Sequence, residues 1–363
     1  MSKIKAFFHG INKKIKSINI YGNSKLFFMV PLVIVLIMII CGCIYQFTNT
    51  KFDKFANIGV DFQGGTLLTV EFSEAGMNKG DNYNNNLNLI SEVLKEKGLT
   101  VSIDQSSGES SIIVRYLNVA SVDGQLVDYS VDEKVVEMNQ LNDNIIEQIK
   151  TKVNEMYEGS VTVKPTATLI GNSASIKLLR TALISVSIAL VLMLIYIIIR
   201  FDIYSALSAI IALLHDVIIM MALSVIFYVE IGSTIVAAVI TIVAYSINNT
   251  IVVFDRIRSN VKPYKTSGGK FNYTEIVNSS IYSTMTRTLF TTFTTLVVIV
   301  LLAALGVASI QTFALPIIFG LIAGFYSSVF LAAPMWGMFK ELGSKLKNKN
   351  SNKKFVKGKT AKA

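Results

Sequence analysis

Long apolar runs divide the chain into two kinds of sequence. A helix that crosses a bilayer needs ~20 mostly apolar residues. Six runs reach that length: about Leu26–Phe47, Leu178–Ile199, Ile203–Val229, Ser233–Phe254, Thr286–Leu305 and Gln311–Phe339. The first follows Lys3, Lys5, Lys13, Lys14, Lys16 and Lys25. It is too long for a signal peptide and no A-x-A-like site follows it, so it reads as a retained anchor.

Between the first two runs the period changes. Thr66–Phe72 alternates as a strand, and Asn84–Lys97 carries Leu87, Ile90, Val93 and Leu94 on a helical stripe. Leu99–Asp104 and Ser111–Tyr116 read as strands on either side of the turn signal SSGES. Asp132–Tyr157 is helical, with Val135, Met138, Leu141, Ile145, Ile149 and Val153 in step and Gly159 as its stop. Ser160–Ala167 is the last strand, and Leu117–Ser130 reads as an insertion. The order βαββαβ is the ferredoxin-like unit. The expected fold is therefore a polytopic α-helical membrane protein of six spans with an extracytoplasmic α+β ferredoxin-like domain over 48–177. Such a domain suits binding of an extended chain at a sheet edge.

Charge gives the orientation. The chain has 363 residues, 52% hydrophobic and only 16% charged, yet its net charge is +10. Soluble domains carry about 25% charged residues. Thr50–Lys177 holds 18 acids and 11 bases, a net of −7, against 6 acids and 23 bases, +17, in the remainder. The bases outside that block sit in short clusters between apolar runs. That is the pattern of positive cytoplasmic loops, not of a nucleic-acid-binding face. The clusters are the N-terminus (1–25), Arg200 beside Asp202, and Asp255–Met285 with Arg256, Arg258, Lys262, Lys265 and Lys270. The last is the tail 340–363, with nine lysines. Six alternating spans put all of them on one side. Both termini are then cytoplasmic, and the acidic block faces outward with the Glu230 and Gly306–Ile310 turns. The Lys- and Asn-rich tail is expected to be disordered and to set topology, or to attract anionic lipid or the ribosome surface. Phe271–Ile281 could lie amphipathically at the inner surface. Cys41 and Cys43, two apart in an apolar run, read as packing residues.

Polar groups inside spans are costly and usually functional. Span three carries His215 and Asp216 near its middle. Span four carries Tyr245, Ser246, Asn248, Asn249 and Thr250, with Tyr245 and Asn249 spaced i,i+4 below Thr241. Span five places Arg287 near its inner end among hydroxyls. These groups could meet in the bundle interior, where an Arg pairs with a carboxylate or with amide oxygens. Gly320 and Gly324 form a G-x-x-x-G for close helix packing. Asn57–Thr66 reads NIGVDFQGGT. Its Gly64-Gly65 pair allows a positive φ or a close backbone approach just before a strand, with Asp61 beside it. There is no metal cluster, triad or phosphate loop in the α+β block, and His9 and His215 both lie outside it. The reading is of a non-enzymatic protein without a cofactor.

The strings GVDFQGGT, ALLHDVII, YSINNTIVVFDRIR, TRTLFTTFTTL and FYSSVFLAAP occur in that order. Together they resemble the SecF family, small subunits of SecDF protein-translocation accessory complexes. The resemblance runs from Ile18 to Met338. It implies a resistance-nodulation-division type bundle in a bacterial plasma membrane. It also implies partnership with SecD, the SecYEG channel, the SecA motor, unfolded exported chains and membrane lipids, and movements powered by an ion gradient. The family's span-four pattern, Ser-x-Asn-Asp-Ser/Thr, here reads Ser246-Ile247-Asn248-Asn249-Thr250. Asn249 therefore stands where the family has an acid, whereas the family's intramembrane Arg maps onto Arg287. Three outcomes stay open: SecD supplies the acid, Na⁺ is held by amide and hydroxyl oxygens, or coupling is lost. Asp216 replaces the acid only if span three faces the same interior. Two other readings compete with export: a half-size exporter of lipids or small molecules, and a scaffold that transports nothing.

Overall fold

The computed structural model describes residues 19–47, 55–99, 101–107, 110–122, 125–129, 131–267, 271–304 and 308–360. His9, Gly306 and Lys270 lie outside them. Among the described residues, six helical segments are long and apolar enough to cross a membrane. We label them α1 (Ser24–Phe47), α5 (Asn172–Arg200), α6 (Ile203–Ile226), α7 (Thr234–Ser267) and α8 (Tyr273–Ala304). The sixth joins α9 (Ala308–Ser327), a π-helical turn Ser328–Ala332 and α10 (Ala333–Thr360). Pro334 lies just past that wide turn. It has no N–H for the carbonyl four residues back, and its ring crowds that carbonyl, a conflict that a π turn relieves.

Between α1 and α5 stand α2 (Val60–Gln63), β1 (Gly65–Phe72), α3 (Gly80–Glu96), β2 (Val101–Ser107) and β3 (Ser111–Tyr116). The hairpin β4 (Val119–Val122) and β5 (Gln125–Asp128) follows, then α4 (Val135–Met156) and β6 (Val163–Ile170). The main sheet has the order β2-β3-β1-β6, with each neighbour antiparallel. This is the ferredoxin-like arrangement expected from the periodicity. Leu68 and Val70 of β1 face the same side as their partners Val114 and Ile112 of β3. They bury against Ile90, Val93 and Leu94 of α3 and Ile145, Ile149 and Val153 of α4. Within the 117–130 insertion β4 pairs with β5, seated where Gly98, at φ +72°, lets the Ser121 backbone approach; a Cβ there would stand 2.1 Å from the Ser121 carbonyl oxygen.

The bundle core runs through α6, α7 and the sixth segment, whereas α1 and α5 show most of their apolar surface outward. A helix that is apolar all round needs lipid or protein on every side. Three expectations for the basic end need correction. The stretch 255–285, read as a loop, is mostly helix: α7 continues to Ser267 and α8 begins at Tyr273. Phe271–Ile281 does not lie along a surface. Ile276, Val277 and Ile281 share the bundle core with Ile257 and Val261, so the apolar stripe that suggested a surface helix is spent inside. The tail is helical as far as Thr360. Lysine loses little rotamer freedom in a helix, and the first turns of the tail are tied down. Glu341 pairs with Lys345 at 2.8 Å and accepts from the Tyr21 hydroxyl at 3.0 Å.

A buried polar chain and its link to the α+β domain

The sequence places Asp216 in the middle of α6, on the face turned toward α7, and the side chain is fully buried. A carboxylate there survives only with partners. Ser246 of α7 donates its hydroxyl to Oδ2, and Ser327 at the end of α9, which donates to the Gly324 carbonyl at 3.3 Å, lies beside the same carboxylate. His215 Nδ1 lies 2.9 Å from Oδ1. Nε2 of that ring is buried without a partner among the described residues. The ring stacks beside Tyr326 and edges an apolar groove with Phe28, Pro31 and Leu32 of α1.

Glycines set the spacing. A Cβ on Gly320 would stand 2.0 Å from Ile242 Cδ1, and one on Gly324 would stand 3.0 Å from Ser246 Cβ. The G-x-x-x-G pair is thus the seat of α7 on α9, and its second member lets Ser246 lie against the helix that carries Ser327. The chain of polar groups then continues along α7. The hydroxyls of Thr250 and Ser328 are 3.0 Å apart, and Asn249 Nδ2 donates to Thr292 Oγ1 of α8 at 3.2 Å. Span three thus faces Ser246, whereas Asn249 meets α8 through Thr292.

Other candidates stand apart. Asn249 is 7% exposed, whereas Tyr245, one turn away, is 40% exposed and Asn248 points outward. Arg287 is exposed and does not meet Asp216. It lines an opening of about 230 Å³ at the basic end with Asp255, Arg256, Ser259, Ser283 and Thr284. Tyr245, Asn248, Arg287, Thr291 and Thr294 give α7 and α8 outward polar positions within apolar spans. Sequence reasoning did not single out Ser327 and Ser328 as individual residues. Two adjacent serines before a Pro-terminated run were the available signal.

The bundle is tied to the α+β domain at the loop after α6. Ile231 N donates to Asn57 O at 2.7 Å, and Gly59 N donates to Ile231 O at 3.0 Å. Asp61 Oδ2 accepts from Ser233 N at 3.0 Å and from its hydroxyl at 2.6 Å. Gly64 takes φ +77° to turn from α2 into β1, and Gly65 is the first residue of that strand. One glycine of the pair therefore serves the positive φ. Beside this stitch, Arg115 of β3 forms an ion pair with Glu230 at 3.0 Å. Burial pushes the Glu230 carboxyl above the usual range. Arg115 works against that push, and Asp61 adds to it.

Comparison with known proteins bears on both regions. Residues 161–342 match the family described as protein export membrane protein SecD/SecF, C-terminal. Residues 57–75, which include the stitch, match the SecD/SecF GG motif. The chain is similar to the protein translocase subunit SecF of Calditerrivibrio nitroreducens, at 29% identity over 91% of this chain and 96% of the relative. It is also similar to SecF of Rickettsia akari, at 30% over 78% and 82%. Its fold is similar to the crystal structure of SecDF, a translocon-associated membrane protein, from Thermus. There the TM-score is 0.62 at 28% identity, over 89% of this chain and 39% of that longer one. A SecDF structure in a super-membrane-facing form gives 0.57 at 26%, over 92% and 40%. With the six-span bundle, the ferredoxin-like domain and the GG segment all accounted for, this chain belongs to the SecD/SecF family of protein-export membrane proteins.

Proposed function

We propose that this chain is the SecF-type subunit of a bacterial plasma-membrane export complex and couples an ion gradient to movement of its α+β domain. The observation that carries the reading is Asp216, a buried carboxylate held by Ser246 and His215 with Ser327 beside it, on the same helix that leads into the stitched loop. Asp216 serves as the titrating or ion-binding group, and Asn249 is a neutral neighbour on the same polar chain. Loss or gain of charge at Asp216 alters its bonds to α7 and α9. The end of α6 then shifts, and the 228–233 loop passes the shift to Asn57, Asp61 and Arg115. A charge that descends about 100 mV releases about 2.3 kcal/mol, enough to bias a two-state domain roughly fifty-fold.

The basic end faces the cytoplasm in this reading, with both termini there, and the domain faces outward. The outward polar positions Tyr245, Asn248 and Arg287 suit contact with a SecD-type half, because polar groups in a span need protein partners. SecYEG, SecA and unfolded exported chains are the remaining partners. The test uses proteoliposomes that contain the full complex and an imposed ΔpH or ΔpNa. Asp216→Asn should abolish the gradient-dependent part of export with insertion intact. Gradient-dependent export at the unaltered rate would refute the assignment.

A further inference from the structure

A second charged region plays no part in that reading. Where α5 ends and α6 begins, a cavity of about 440 Å³ opens between them, α7 and α10. Its walls carry Arg200, Arg258, Lys262, Lys265 and Lys340 against one carboxylate, Asp202. Asp202 is already engaged. It accepts from Lys340 at 2.7 Å and from Ser205 N and Oγ at 3.0 and 2.6 Å. Burial opposes its charge, but Lys340 and Ser205 outweigh that and hold its pKa low, so it stays ionised and neutralises Lys340. The other four cations form no ion pair among the described residues.

Their placement is unfavourable without an anion. Arg258, Lys262 and Lys265 repeat at i, i+4 and i+7 on one stripe of α7, and like charges one turn apart destabilise a helix. Arg258 also donates to the Arg200 carbonyl at 3.1 Å, which draws the fourth cation to the same mouth. The floor is apolar, made by the buried Phe254, Ile257 and Val261. Trp336, buried in the bundle core, donates Nε1 to Asp202 at 3.3 Å and so forms part of the cavity wall. At the lipid side of the mouth, Ile199 and Ile203 are 80% and 67% exposed.

We infer that this cavity binds the phosphate of an anionic phospholipid headgroup, with the acyl chains lying along Ile199 and Ile203. Basic pockets between spanning helices are suited to such headgroups. The exposed isoleucines give a lipid a surface that a free phosphate cannot use.

Trp336 is the only tryptophan in the chain, so its fluorescence reports the cavity alone. Full-length protein in neutral-detergent micelles is titrated with brominated phosphatidylglycerol, and with brominated phosphatidylcholine in parallel. Quenching should occur at a far lower mole fraction of the glycerol lipid. Arg258→Gln/Lys262→Gln/Lys265→Gln should raise that mole fraction on the order of a hundredfold. Lys262→Arg/Lys265→Arg should keep it unchanged. A control with the same loss of charge, Lys353→Gln/Lys354→Gln/Lys357→Gln, should also keep it unchanged. Equal quenching by both lipids, or an equal loss in the tail control, would overturn the inference. Relief of quenching by millimolar inorganic phosphate would also overturn it, in favour of a soluble anion.

Discussion

Arg115 Nη1 on β3 and the Glu230 carboxylate in the α6–α7 loop lie 3.0 Å apart, with side chains 11% and 7% exposed. The pair joins two separately built units, a sheet packed on its own helices and a bundle packed on its own core. Removing one partner of a buried pair leaves the other charged and desolvated. Glu230→Ala should therefore weaken the joint by about 3–5 kcal/mol. Arg115→Met/Glu230→Leu should recover most of that loss. Amide hydrogen exchange at β3 and at 228–233 in the full-length protein measures both effects, and equal protection in wild type and Glu230→Ala would contradict the first.

The same carboxylate gives the joint a pH dependence. The folded chain raises the Glu230 pKa, mainly by burial, so it binds the proton more tightly than the unfolded chain does. This contribution to stability is complete below the ordinary value of 4.5 and is lost as pH rises through the raised value. Thermal melts of the detergent-solubilised protein should show that decline, and Glu230→Gln should remove that part of it. An identical pH profile for the variant would contradict the assignment.

At the helix crossing, Gly320→Val should overpack Ile242 and cost about 1–3 kcal/mol. Ile242→Ala should relieve much of the clash, and unfolding melts of both variants test it. Gly324→Ala is subtler. Its Cβ pushes on Ser246, so gradient-dependent export should fall more than stability does.

Two changes test how far the polar chain extends. Asn249→Asp puts a carboxyl on α7 beside Thr292 and should move the dependence of export on Na⁺ and pH toward protons. Arg287→Ala should impair export by the assembled complex with insertion intact, since in our reading this residue acts through a partner subunit. Export assays in proteoliposomes under separate ΔpH and ΔpNa decide both. Unchanged ion dependence would remove Asn249 from the ion path, and unchanged export would remove Arg287 from coupling.

The helical stripe Leu87, Ile90, Val93 and Leu94 and the strand SIIVRY were readable because each has one buried face, and burial imposes its period on the sequence. The basic end was harder to read. A stripe such as Ile276, Val277 and Ile281 looks the same whether it covers a lipid surface or a neighbouring helix. Only packing against Ile257 and Val261 distinguishes the two.

The sequence by itself determined six spans, the ferredoxin-like order and the presence of an expensive acid at Asp216. Hydropathy and period are local properties of the chain, and the bilayer fixes the length of a span. Tertiary structure alone decided the partners. It brought Ser246 and Ser327 to Asp216, kept Arg287 away, and paired Arg115 with Glu230 across two domains. Those contacts depend on helix rotation and on close approach at Gly320 and Gly324. No local pattern encodes them, because each is a distance between segments that the chain brings together only by folding.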